Sequence, residues 1–261
     1  MHNNSYLAYL MYRRHSFKAG EYDLRHFGGC ILEPPKHTVA IRDVEIVSSF
    51  GNSDDVIDHG RYKTVDFDIA VGFRRDLYSG STAVQISEIK NWLSSLTDNY
   101  HYYSDSYNKG WHTRAVLTEV DPLVRTNVNL WETKLTFTRL PYWYSDSGAA
   151  EIPLIKNEDV ILDNPSPLPS KPTIIWRYTP GAGGMHRLWV NGTQVLMYGT
   201  SDDAEIRFEC EAMRYISIKS NGTIVQVDDT LPPDLLPRGH QNVVRVTGAG
   251  DFSIIPNWRR L

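Results

Sequence analysis

The chain has 261 residues, 41% hydrophobic and 22% charged, which is ordinary globular usage and excludes a disordered, fibrous or membrane-embedded composition. That length exceeds the commonest single domain, so two domains are expected. A formal net charge of −4 gives no global field for gathering phosphate backbone, and the basic pairs Arg13-Arg14, Arg74-Arg75 and Arg259-Arg260 are far apart, so no sequence-specific nucleic-acid binding is expected.

In chain order, the apolar run Tyr6 to Tyr12 is too short for a secretory leader, and its charges follow rather than precede it. No stretch approaches the roughly 20 apolar residues of a membrane-spanning helix, so no membrane insertion is expected. A strand is expected within Val39 to Phe50. From Thr64 to Phe73 the residues Val65, Phe67, Ile69, Val71 and Phe73 alternate with mostly polar ones, the period of a half-buried strand. Thr82 with Gln85 fits a capping box, and Ile86, Ile89, Trp92, Leu93 and Leu96 then recur at helical spacing, predicting one amphipathic helix over Thr82 to Leu96. Strands are expected at Arg114 to Val120 and Val128 to Thr138.

A soft break falls at Ser145-Asp146-Ser147-Gly148. A harder one is Asn164 to Pro172, with four prolines in nine residues, which must run extended as a linker or an inter-strand loop. Two hairpins follow. Leu188-Trp189-Val190 meets Thr193 to Tyr198 across Asn191-Gly192, and Tyr215 to Lys219 meets Thr223 to Val227 with Asn221-Gly222 in the turn between them, a dipeptide that tolerates the positive φ of a type I′ turn. Between them, Ile206, Phe208 and Cys210 alternate with charged residues as another strand. Val243 to Thr247 and Phe252 to Ile255 complete the set, so the expected fold class is all-β with one amphipathic helix.

Nothing in the sequence has the short-range spacing of a catalytic or metal site. The nine histidines are scattered, and there is no Gly-x-Ser-x-Gly, His-Glu-x-x-His or Walker-type loop. Gly181 to Gly184 is followed by a strand rather than by the helix N-terminus a phosphate loop requires, and Asp54-Asp55, Asp202-Asp203 and Asp228-Asp229 lack the alternating ligands of a calcium loop. No enzyme activity, cofactor or metal is therefore expected. Cys30 and Cys210 are too far apart in sequence to form a redox or zinc motif and suit a reducing cytoplasm. The Asn191 and Asn221 sequons coincide with the hairpin turns. One cluster stays open: Tyr100, Tyr102, Tyr103, Tyr107 and Trp111 could pack in a core, fill a protein interface or stack on sugar rings.

The order of parts carries a resemblance. A strand set, a helix with Trp92-Leu93, a return strand ending Pro141-Tyr142-Trp143-Tyr144, the turn Leu236-Pro237-Arg238-Gly239-His240-Gln241-Asn242 and the ending Ile255-Pro256-Asn257-Trp258-Arg259-Arg260-Leu261 together resemble the distal tail (Dit) proteins of siphophages. Ala40-Ile41-Arg42-Asp43 keeps only an echo of that family's first-domain turn. The resemblance implies a ring-forming N-terminal β-sandwich (belt) domain over residues 1–145. It also implies a C-terminal galectin-like β-sandwich over 146–261, with the proline run inside it. It further implies a virion protein of the tail tip, made in the host cytoplasm: a homohexameric ring between the tail tube protein and a tail-associated baseplate or fibre protein, with the tape measure protein as a further candidate partner. A carbohydrate-binding module and a hydrolase built wholly by tertiary contacts are the rival readings.

Overall fold

The computed structural model describes residues 15–48, 55–177, 184–227 and 232–261. The expectations for Tyr6 to Tyr12, Arg13-Arg14, Ser49-Phe50, Asp54, Gly181 to Gly183 and Asp228-Asp229 lie outside the described residues.

Contacts divide the chain into two compact units, the first running through Trp143 and the second from Tyr144 to Arg260. The first contains β1 (Phe17–Ala19), β2 (Tyr22–Asp23), β3 (Gly29–Ile31), β4 (Arg42–Val47), β5 (Asp55–Tyr62), β6 (Val65–Arg74), α1 (Thr82–Ser95), β7 (His101–Asp105), β8 (Trp111–Val120), β9 (Val124–Asn127) and β10 (Leu130–Arg139). A sheet in the order β2-β1-β7-β8-β10-β6-β3, with β9 on β10, forms its body. The longest ladder pairs β6 with β10, from Val65↔Arg139 to Arg74↔Leu130. The period-two pattern of β6 places Phe67, Ile69, Val71 and Phe73 in one core with Phe17, Leu117, Leu135 and Phe137.

Helix α1 packs Ile89, Trp92, Leu93 and Leu96 into that same core. Its start differs from expectation by one residue: the Ser81 side chain accepts from the Val84 N–H at 3.3 Å, so Ser81 is the N-cap. Gln85 is therefore not the distal half of a capping box. Its buried amide donates to the Phe27 carbonyl at 2.9 Å and the Arg74 carbonyl at 3.1 Å, tying the helix to the turn before β3 and to the end of β6. The Trp92 Nε1–H donates to the Ala19 carbonyl at 3.2 Å.

The short β11 (Trp143–Ser145) precedes the second unit, whose further strands are β12 (Ile152–Leu154), β13 (Asp159–Asp163), β14 (Thr173–Arg177), β15 (Gly184–Val190), β16 (Thr193–Gly199), β17 (Asp203–Glu209), β18 (Arg214–Lys219), β19 (Ile224–Val227), β20 (Gln241–Thr247), β21 (Asp251–Ile255) and β22 (Arg259–Arg260). Two sheets, β12-β21-β14-β17-β18-β19 and β13-β20-β15-β16, enclose a core of Trp176, Ile206, Phe208, Leu188, Met197 and Val246 with their neighbours. This is a β-sandwich. The proline run lies between β13 of one sheet and β14 of the other, and Ser170 pairs with Leu235 on the way. The described residues are all-β with one α-helix, as their alternation predicts.

The two hairpin turns differ. Asn191 (φ 52°) and Gly192 (φ 81°) are both left-handed, as a type I′ turn requires. In the second, only Gly222 is left-handed (φ 85°); the Gly222 N–H donates to the Lys219 carbonyl, and the Lys219 N–H to the Thr223 carbonyl. That is a three-residue loop, Ser220 to Gly222, with glycine at its bulge position, and not the type I′ conformation expected of Asn-Gly. The side chain of Asn191 explains its sequon structurally: it bonds the Asp234 carbonyl, the Asn242 side chain and the Val243 N–H.

Candidate assembly surfaces

Among the described residues, strands β4 and β5 pair only with each other, forming a two-stranded ribbon apart from the main sheet. Its register sets Ile46 opposite Val56, Glu45 opposite Ile57, and Val44 opposite Asp58. Cross-strand partners share a face, so Val44, Ile46 and Val56 lie on one side and Val47 and Ile57 on the other. Both sides meet solvent, with Ile46 68% and Val56 65% exposed. The polar positions pair internally, Arg61 with Asp43 at 2.8 Å and Arg42 with Asp58 at 3.6 Å, and the Arg61 guanidinium keeps the Asp43 carboxyl below its ordinary pKa. An isolated hairpin is marginal in water, and aliphatic residues bare on both faces leave it without a layer to bury against.

The segment leading into β4 is, by contrast, held tightly. The Leu32 N–H donates to the Ala70 carbonyl at 2.9 Å. The His37 ring tilts on Phe67 (centroids 4.7 Å apart), meets Trp143 edge-on at 5.1 Å, and places Nε2 3.1 Å from Asp105 Oδ2. Asp105 is a buried carboxylate that also accepts from the Tyr103 hydroxyl and the Tyr107 and Asn108 N–H groups. Burial raises its pKa, but the bonds from His37 and Asn108 outweigh that and leave it below the ordinary value. Buried Arg139 donates to the carbonyls of Leu140, Pro141 and Thr38 at 2.8 to 3.2 Å. A rigid root thus carries a bare ribbon.

The aromatic residues singled out in the sequence do not form one platform. Successive residues of β7 point to opposite faces, so Tyr103 is fully buried against Phe17, Phe67 and Phe137 while Tyr102 faces out. Burial and the Asp105 carboxylate push the Tyr103 phenol well above its ordinary pKa. Trp111 packs against the core. Tyr102 stacks on His112 at 5.0 Å, Tyr107 stacks on His15 at 4.6 Å, and Tyr100 is exposed. Sequence reasoning missed β5 altogether, because Asp55–Tyr62 reads as acidic and contains Gly60. The available signal was Val56-Ile57 beside the Val44/Ile46 alternation.

Among the described residues no cluster of histidine, cysteine and carboxylate side chains could hold a metal, and no helix is long and apolar enough to cross a membrane. Cys30 and Cys210 are both buried and form no disulfide.

No protein-family model and no curated protein matches the chain. Among solved structures, the Dit protein of phage SPP1, described as a paradigm of the hub adsorption apparatus of phages infecting Gram-positive bacteria, aligns over 92% of this chain and 97% of its own, with a TM-score of 0.61 at 11% identity. The baseplate of phage P2 in its activated, calcium-bound conformation aligns over 95% and 98% at 11% identity with a TM-score of 0.48. The chain has the fold of the SPP1 protein along nearly its whole length.

Proposed function

We propose that this chain is a distal tail protein of a long-tailed phage, a structural component of the tail tip whose first unit assembles into a hexameric ring between the tail tube and a baseplate or fibre protein. The likeness to a hub protein over nearly the whole of both chains supports the reading. The observation that carries it is the β4–β5 ribbon, an apolar arm whose strands pair with no other strand among the described residues and whose root is fixed by His37 and Arg139. Head-to-tail contacts of this kind close into a ring when each arm finds the next subunit. The arm would then supply contact area, and no catalytic group is needed.

The test is the mass of the purified full chain by light scattering, with negative-stain images of the same fractions, for the natural sequence and for Ile46→Glu combined with Val56→Glu. The expected outcome is a hexamer with a central hole for the former and a folded monomer for the latter, since buried charges placed at an interface core strongly disfavour association. A natural chain that stays monomeric, or a double variant that still forms rings, would overturn the reading.

A further inference from the structure

Alternate residues of β13, β20 and β15 leave the outward face of the sheet β13-β20-β15-β16 accessible among the described residues, and its side chains are unlike those of the ribbon. Where β13 ends and β20 begins, a cleft of about 360 Å³ is lined by Asp163, Arg238, His240 and Gln241 with Asn164 and Pro165, within the size range of small-ligand sites. Asp163 and Gln241 are register partners and point to this face. Among the described residues, none of the four side chains Asp163, Arg238, His240 and Gln241 is bonded within the protein. They offer an acceptor, a planar donor fork and two groups able to do both.

The cleft's walls are built from buried polar groups. Asn164 donates to the Leu168 and Leu236 carbonyls, both at 3.0 Å, and accepts from the Ser166 N–H at 2.8 Å. Fully buried Asn242 accepts from the Leu236 N–H at 2.6 Å and donates to the Leu162 and Leu236 carbonyls at 3.2 Å. The Arg238 N–H bonds the Ser166 carbonyl at 2.8 Å. These bonds fix the backbone from which the cleft side chains project, so little ordering would accompany binding.

From the cleft the same face continues along β20 through Val243, beside Ile161, to Arg245, whose register partner on β15 is Trp189. Four residues of strand make this track about 13 Å long. Half-exposed Trp189 is flanked by Arg245, Arg187 and Gln194.

We infer that this face, from the Asp163–Arg238 cleft to Trp189, binds a neutral saccharide chain of a cell surface. A sugar ring presents a rim of hydroxyls that both donate and accept and an apolar face that suits an indole. The alternatives fit less well. A phosphate would meet the Asp163 carboxylate beside a single guanidinium. A protein partner would want an interface core depleted of charge, whereas here the apolar pair Ile161 and Val243 is bordered along its strands by Asp163 and Gln241 at one end and by Asp159 and Arg245 at the other.

The experiment is binding of the full chain to an array of bacterial capsular, O-chain and teichoic polysaccharides, with bound saccharides titrated by calorimetry against single variants. The expected result is a neutral saccharide whose affinity falls about tenfold or more in Asp163→Ala and in Arg238→Ala, exposed positions whose change leaves the fold intact, as loss of a hydrogen bond to a charged group implies. Trp189→Ala should weaken it similarly, and Tyr102→Ala should not. No saccharide bound, a bound saccharide indifferent to Asp163 and Arg238, or binding only of anionic polymers in competition with inorganic phosphate would each overturn the inference. Because the readout is affinity, it is independent of whether the first unit forms a ring.

Discussion

The hairpins β4–β5 and β15–β16 are both antiparallel and both rich in aliphatic residues, yet they stand in opposite situations. In β15–β16 the residues Leu188, Val190, Val195 and Met197 are essentially inaccessible and share a core with Trp176, Ile206 and Phe208 of the other sheet. In β4–β5 the equivalent aliphatics, Val44, Ile46 and Val56, face solvent. The difference is not in the ladders but in what lies opposite them. A second sheet covers one hairpin, and no sheet or helix among the described residues covers the other. Burial of a face, rather than strand pairing, is what converts apolar content into stability of the monomer, so an apolar hairpin left bare is better suited to stabilising an assembly.

The largest expected effect separates the two directly. Leu188→Ala should lower the stability of the monomer by about 2–5 kcal/mol through lost burial and the cavity left behind, whereas Ile46→Ala should change it by no more than about 0.5 kcal/mol, as for a surface position. Urea unfolding under conditions that keep the protein monomeric measures both, and equal losses would mean that the ribbon is packed within its own chain.

A second effect belongs to the covered side alone. Asp203, at the start of β17, has a side chain only 2% exposed; it pairs with Lys219 at 2.6 Å and accepts from the Ser217 hydroxyl and the Thr200 N–H. Burial raises its pKa, but these partners outweigh that and bring it down to about 2. A depressed carboxyl contributes its stability above the unfolded-state value near 4 and loses it as pH falls toward 2. The contribution is at most about 2.5 kcal/mol. Asp203→Asn should flatten the acid limb of the stability profile between pH 4 and pH 2; an unchanged limb would refute the assignment.

The smallest effect sharpens the same comparison through glycine. Gly192 and Gly60 both have left-handed φ, 81° and 73°, and a Cβ at either would meet nothing within 4 Å, so alanine adds backbone strain alone. That strain is about 1 kcal/mol. In Gly192→Ala it should appear in global unfolding, because the hairpin is part of the core. In Gly60→Ala it should appear only as faster amide exchange within the ribbon, since a segment with few buried contacts opens locally. Global destabilisation of equal size in both would show the ribbon to be coupled to the core.

What the sequence alone determined is local. The alternation of Val65 to Phe73 and of Ile206 to Cys210, the helical spacing of Ile89, Trp92, Leu93 and Leu96, and the Asn191-Gly192 turn are set by covalent geometry and by the periods of strand and helix, so they could be read without knowing any neighbour. The helix cap moved one residue because Ser81 and Thr82 offer nearly equivalent hydroxyls, and the second turn changed type because loop length depends on the register of the flanking strands. Short pieces such as β1 to β3 and β12, each of two or three residues, have too few positions to show a period at all.

What only the tertiary structure decided is coverage. Tyr102 and Tyr103 are adjacent in sequence, but one is a core residue and the other a surface residue. Val44 and Val195 are the same amino acid in the same local structure, but only Val195 has a second sheet above it. Asp163, Arg238 and Gln241 are brought to one cleft by the pairing of β13 with β20 across a long stretch of chain. Coverage depends on which elements the whole chain brings opposite one another, and periodicity along a segment carries no information about what stands across from it.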